Sequence, residues 1–257
     1  MDQPQFGEDL DAVVLRAEEA GVTLIVDPAV DVSSCRQVVG LAERFPGLYG
    51  AVGIHPNECE GFDKAALETV RSLACHPKVV AIGEIGLDYY WHTVPEEQQK
   101  RALREQLELA SELDLPVILH SRNSNADLLC ELEQWVPTAR KQRGADAILG
   151  VWHAFSGDLA DAERAFDLGF VLGLGGTVTF KNSRRLRELV PMLRVDRILM
   201  ETDSPYMTPH PYRGKRNEPA YIRFVWDVLS ELMGVEREAL ARLVGDTARL
   251  CFEKLQV

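Results

Sequence analysis

Five side chains able to bind a metal or move a proton, His55, Glu84, His120, His153 and Asp203, each stand where an apolar run of the chain ends. Glu84 is the most telling, because Val79, Val80, Ala81 and Ile82 lead without alternation into Gly83-Glu84-Ile85-Gly86, which reads as a buried parallel strand ending in a carboxylate. An ionised acid there is costly unless it is paired, hydrogen-bonded or bound to a metal. Glycines beside it let another backbone or a ligand come close. Imidazole with carboxylate favours zinc, manganese or a similar divalent ion. A carboxylate between two ions can bridge them, and a second carboxylate can take a proton from an attacking water. Taken singly, a strand-end histidine is more often satisfied by backbone or packing, and a strand-end acid as readily caps a loop. Recurrence at equivalent positions of five strands is what independent structural residues would not produce.

The elements that must position these groups alternate. Apolar runs at 22–27, 48–56, 79–85, 116–120, 147–153, 170–180 and 197–203 read as strands. Helical spacing occupies 9–20, 31–45, 63–74, 95–113, 123–135, 158–168 and 183–193, with two closing helices at 219–233 and 236–255. A basic loop with Arg140, Lys141 and Arg143 is expected after the fifth helix, and the sixth strand is glycine-rich. Strand-then-helix units at intervals of roughly 25 to 35 residues imply an all-parallel sheet covered by helices. No G-x-G-x-x-G follows an early strand, which favours an α/β TIM-type (β/α)8 barrel over an open doubly wound sheet. Such a barrel wants eight strands and seven are counted, so the first is expected to be lacking. Barrel enzymes build their sites at the C-terminal ends of the strands, where all five residues fall.

Composition bounds the function. The 257 residues are 46% hydrophobic, enough for one full core, and no linker or composition shift divides residues 1–257 into two domains. A net charge of −12 argues against coating nucleic acid by bulk charge, so a polyanion must bind locally. Five widely spaced cysteines without C-x-x-C suit a reducing cytoplasm rather than a disulfide framework or zinc knuckle. No apolar run approaches the ~20 residues of a membrane span, and the acidic start is not signal-like, so a cytoplasmic protein is expected.

Other candidates carry less. His76 precedes a strand, on the face opposite the site, and reads as structural. His92 lies in an irregular loop and reads as solvated, while His210 could equally contact substrate or cap a turn. Asp88 reads as a hydrogen-bonding organiser of its loop. Basic residues gather on the C-terminal face: Arg122 two residues past His120, Lys181, Arg184 and Arg185 after the sixth strand, Arg213, Lys215 and Arg216 after the seventh. They could be no more than a solvated face. Beside a metal centre they are what a phosphate ester needs, since arginine forks hold non-bridging oxygens.

As a set, GIHP (53–56), GEIGLDYYW (83–91), PVILHSR (116–122), HAFSG (153–157), ETDSPY (201–206) and PYRGKRNEP (211–219) closely resemble the TatD family of metal-dependent hydrolases, within the amidohydrolase superfamily of distorted TIM barrels. The resemblance runs over nearly the whole chain in order. It implies that Glu84 bridges or shares two divalent ions, Mg, Mn or Zn, that His120 and His153 bind one of them, and that Asp203 binds the other and acts as base. Asp203 and Glu84 are then the catalytic pair. By the same similarity His55, Arg122 and the loop from Arg213 to Asn217 contact the substrate phosphate, with Glu201 a support behind the metal ligands. The implied activity is a deoxyribonuclease, most often a 3′–5′ exonuclease, with DNA, single-stranded by expectation, as substrate.

In one respect the chain departs from the family. Members open with a strand carrying Asp-x-His-x-His, and no H-x-H occurs here. Met1-Asp2-Gln3-Pro4-Gln5-Phe6 resembles the family segment just after that motif, so the expectation is either a natural polypeptide extending about ten residues upstream to supply the eighth strand, or a motif lost. The remaining residues can hold one ion. Two further functions stay open: a superfamily hydrolase of a small cyclic amide, lactone or phosphotriester, and a non-catalytic binding protein left after ligand loss.

Overall fold

The structure, a computed structural model, describes residues 1–255. Seven strands form one parallel sheet in the order β1 Ile25–Pro28, β2 Leu48–Val52, β3 Val79–Asp88, β4 Val117–Arg122, β5 Gly150–Trp152, β6 Phe170–Leu174 and β7 Ile198–Met200. Each pairs only with its sequence neighbours, and among the described residues no ladder joins β1 to β7. The fold is the TIM-type α/β arrangement read from the sequence, with the seven strands counted there.

Helices α1 Leu10–Glu19, α2 Val32–Arg44, α3 Lys64–Ala74, α4 Glu96–Glu112, α5 Asn125–Arg143, α6 Leu159–Asp167, α7 Arg184–Leu189, α8 Ile222–Met233 and α9 Arg237–Cys251 cover the outside. Their starts are written locally. Asp31 and Ser34 form a reciprocal capping box on α2, as do Asp158 and Asp161 on α6, and the Asp63 carboxylate accepts from Ala66 N on α3. No helix is long and apolar enough to cross a membrane.

Strand alternation sorts the core into two layers. Val117, Leu119, Trp152, Leu172 and Ile198 pack outward with the helices. Val80, Ile118, Val151, Val171 and Leu199 form a separate inner cluster with Cys251 and Phe252. The same parity carried two residues on places His120 after Ile118, His153 after Val151 and Glu201 after Leu199 on the inner face. Glu84 sits where the β3–β4 register shifts, between Ile82 and Ile85.

The N-terminal segment spans the gap between β1 and the chain beyond β7. Met1 N donates to Asp27 Oδ1 at 2.6 Å, while Arg16 and Asp9 meet Glu218 and Arg216. Three expectations are corrected here. The basic stretch Arg140, Lys141, Arg143 is no loop but the last turns of α5, which runs through Pro137 because Leu132, Val136 and Ala139 are buried on one face. The sixth strand stops at Leu174 and turns into a 3-10 helix over Gly176–Thr179. The third strand runs on to Asp88, so Glu84 lies inside it rather than at its end.

Candidate metal centre

The four expected ligands converge. His120 Nδ1 lies 2.8 Å from Glu84 Oε1, His153 Nε2 lies 3.8 Å from the same oxygen, and Asp203 Oδ1 is 3.8 Å from His153 Nε2. Donors about 2.1 Å from one ion lie roughly 3.0 Å apart in an octahedral and roughly 3.4 Å apart in a tetrahedral arrangement; the His120–Glu84 pair is close to these spacings, and the two contacts of His153 are a few tenths of an ångström wider.

Hydrogen-bond partners assign each ring nitrogen its task. His120 Nε2 faces Asp88 Oδ2 at 3.1 Å and Nδ1 faces Glu84 Oε1 at 2.8 Å, so the metal-free ring donates from both nitrogens, and a bound ion would displace the Nδ1 proton while Asp88 keeps the one on Nε2. His153 Nδ1 faces Glu201 Oε2 at 3.0 Å, which leaves Nε2 as the inward lone pair. His55 is different. The ligating atoms of His55, Glu84 and His120 lie within 4.8 Å of one another, yet Asn57 N–H donates to His55 Nδ1 at 3.1 Å. Its neutral ring therefore carries the proton on Nε2, 3.8 Å from Glu84 Oε1 and beyond hydrogen-bond reach of it, and offers no lone pair to an ion. Two imidazole nitrogens and two carboxylates remain, a donor set that would suit zinc or manganese better than magnesium, which prefers oxygen donors throughout.

The protein groups alone set an uneven charge pattern. Burial raises the Glu84 carboxyl, but His153, His120 and His55 reverse this and hold it well below the usual carboxylate range. Burial likewise raises Asp88, and the bonds from His120 and Tyr90 N outweigh it and pull it down. Burial lowers the His120 imidazole, yet its bonds to Asp88 and Glu84 lift it to about 9. His153 is raised despite burial by Glu201, Glu84 and Asp203, whereas burial drops His55 to about 4. Burial pushes Asp203 up to about 6 against the pull of His153, and among the described residues no hydrogen bond reaches its carboxylate. Asp203 is thus the acid of the site best poised to change protonation near neutrality.

Backbone details serve this arrangement. A Cβ on Gly86 would fall 2.0 Å from His120 O, so only glycine lets β3 and β4 approach there. A Cβ on Gly173 would fall 2.1 Å from Glu201 Oε2, the oxygen that fixes His153, which explains one glycine of the sixth strand. Two buried glutamines of α4 brace the strand ends: Gln99 bonds Asp88 N and O, and Gln106 bonds Ile54 N and O. Asp203 (φ 55°) and Ala154 (φ 46°) hold left-handed backbone beside the site.

Of the other expected site residues, Glu201 stands behind His153 and also accepts from Ala154 N at 2.8 Å. Arg122 and Arg213 are exposed on the ligand side, the first 3.8 Å from the centre of the Tyr90 ring and the second 3.6 Å from that of Phe180. Asn217 is corrected. It is fully buried, and its amide donates to Thr202 O and Tyr206 O at 2.6 Å each, so it clamps the Asp203 loop instead of reaching substrate. Arg216 is spent on Asp9 and Gln5 O, and Arg184 on Glu188. His76 pairs with Glu43 away from the site, and His210 N donates to Thr179 Oγ1 in a turn. Sequence reasoning missed the grip of Asp88 on His120. The signal was its parity, since residues 84, 86 and 88 share one face of β3.

A TIM-type sheet with histidines and carboxylates at its C-terminal end defines a metal-dependent hydrolase. The chain belongs to the family described as TatD related DNase, whose model matches residues 1–253. It is 37% identical over 248 residues to YabD of Bacillus subtilis, described as an uncharacterized metal-dependent hydrolase, covering 96% of this chain and 94% of that one. It is 38% identical over 256 residues to TatD of Erwinia billingiae, described as a 3′-5′ ssDNA/RNA exonuclease, covering 96% and 94%. Among solved structures, the TatD homologue YjjV of Escherichia coli superposes with a TM-score of 0.89 at 36% identity, covering 98% and 95% of the two chains.

Proposed function

We propose that residues 1–257 form one hydrolase domain that cleaves phosphodiester bonds of single-stranded DNA in the cytoplasm, as a 3′–5′ exonuclease. The observation that carries this reading is that His120 Nδ1 and His153 Nε2 gather about Glu84 Oε1, with Asp203 Oδ1 beside His153 Nε2, and that Arg122 and Arg213 are exposed without carboxylate partners among the described residues. The names of relatives described as ssDNA/RNA exonucleases support it.

Glu84, His120, His153 and Asp203 would hold one or two divalent ions, Mg, Mn or Zn. A bound ion polarises the phosphoryl oxygen and eases loss of a proton from water. Asp203, whose carboxylate accepts no hydrogen bond among the described residues, is free to accept that proton and can return it to the leaving oxygen. Glu84 stays ionised throughout, held down by the histidines around it. His55, neutral and donating from Nε2, and the Arg122 and Arg213 guanidinia orient the phosphate and balance charge that builds on its oxygens.

The test is release of nucleotides from single strands labelled at either end, with Mg²⁺, Mn²⁺ or Zn²⁺ supplied and Glu84→Ala as the blank. Loss of label first from the 3′ end, absent in the blank, is expected. Wild-type protein no more active than Glu84→Ala would defeat the reading.

A further inference from the structure

Two large aromatic side chains stand open beside the metal centre, where a soluble protein gains nothing by exposing them. Tyr90 is 48% exposed and Trp91 is 58% exposed. Their rings meet edge to face, 4.9 Å between centroids at 89°. The Arg122 guanidinium lies 3.8 Å from the Tyr90 centroid and 5.3 Å from that of Trp91.

This cluster is tied to the site by short links. Asp88 Oδ1 accepts from Tyr90 N at 2.9 Å and Trp91 N at 3.3 Å, while its other oxygen holds His120 Nε2. Tyr89 N donates to Arg122 O at 2.9 Å, and the Tyr89 hydroxyl donates to Asp127 at 2.9 Å, so the residue just before the aromatic tip is fastened by both backbone and side chain. Arg122 follows His120 by two residues on β4 and shares its face.

Resting on the phosphodiesterase reading above, we infer that Tyr90, Trp91 and Arg122 form a shelf on which one unpaired nucleobase stacks, next to the phosphate held at the metal centre. An unpaired base offers a π-face that indole and guanidinium both take, and the phosphate attached to it is drawn by the same arginine. A paired base presents no free face, so the shelf selects single strands over duplex. Arg122 carries a positive charge in a chain of net charge −12 and has no carboxylate partner among the described residues, so it suits an anionic strand better than an acid-rich surface.

Steady-state hydrolysis of a short single strand of DNA and of an abasic phosphate strand of equal length tests the shelf, using Mn²⁺-loaded wild type, Trp91→Ala, Trp91→Phe and Tyr90→Ala. Stacking of ~1–3 kcal/mol per base predicts that wild-type KM is roughly five- to hundred-fold lower for DNA than for the abasic strand. Trp91→Ala should raise the DNA value toward the abasic one with kcat nearly kept, Trp91→Phe should restore most of the difference, and neither should move KM for the abasic strand. An unchanged KM for DNA in Trp91→Ala and Tyr90→Ala overturns the shelf and leaves the hydrolase reading standing. An equal rise for both strands also overturns it, since the tip then faces something other than a base. Wild type cleaving neither strand would defeat the phosphodiesterase reading itself.

Discussion

Replacing Asp88 by asparagine tests whether the site depends on which nitrogen of His120 carries its proton. Asp88 is 1% exposed and its two oxygens have separate duties. Oδ1 accepts from Tyr90 N and Trp91 N, and Oδ2 meets His120 Nε2 and Asn57 Nδ2, both at 3.1 Å. An asparagine that keeps its oxygen on the two backbone N–H groups turns its amide donor toward His120 Nε2 and toward a second amide donor, Asn57. To accept that donor, the imidazole must give up the Nε2 proton and keep the one on Nδ1, the atom that faces Glu84, and it then ceases to be a ligand. The opposite placement preserves the tautomer but sets an NH2 group against two backbone donors. It is therefore the poorer fit.

Partners behind metal ligands contribute roughly 10–100-fold in affinity, which is about 1.4–2.7 kcal/mol, and the stranded Asn57 donor costs about 1–3 kcal/mol of folding stability. Chelator competition with Zn²⁺ and Mn²⁺ measures the first quantity and urea titration the second. Nitrogen-15 imidazole spectra report the tautomer directly. Wild-type metal affinity together with a retained Nε2–H tautomer would refute the reasoning.

Asp203→Asn should fold normally and keep KM for single-stranded DNA while kcat falls about 10²–10⁴-fold; turnover at the wild-type rate would show that Asp203 is not the base. In chelator, His120 has its folded pKa raised to about 9 from 6.5, so its stabilisation is fully present below about pH 6.5 and is lost as pH rises through about 9, on the order of 3 kcal/mol at most. Thermal midpoints at pH 6 and 9.5 should converge between wild type and His120→Gln at the higher value, and a constant gap would contradict this. Asn217→Ala should cost about 1–3 kcal/mol, because Thr202 O and Tyr206 O lose their buried donor, and should lower kcat through the displaced Asp203 loop; an unchanged urea midpoint counts against the clamp. Dialysis against chelator should abolish hydrolysis and Mn²⁺ or Zn²⁺ should restore it, as followed by elemental analysis alongside rate.

The parallel sheet and the address of the site were legible in the sequence because both obey local rules. Strands covered on both faces must be apolar throughout, so runs such as 79–82 stand out, and polar residues recurring at the ends of several such runs point to a shared site. Glu84, His120, His153 and Asp203 stand out that way as candidates. Helix ends were less legible: Pro137 and the basic residues after it suggest a stop, but burial of Val136 and Ala139 carries α5 on to Arg143. Pairings between distant segments belong to the tertiary structure alone. Whether Arg216 serves a substrate or Asp9 is decided by where α1 packs, 207 residues away in sequence. Asn217 looks like a rim group until the loop before it folds over and takes both of its amide protons. The lone pair each histidine offers is set by Asp88 for His120 and by Glu201 for His153. A hydrogen bond depends on direction and on distances of a few ångströms, which residue spacing does not encode; apolar burial depends on neither, and so it alone is written plainly along the chain.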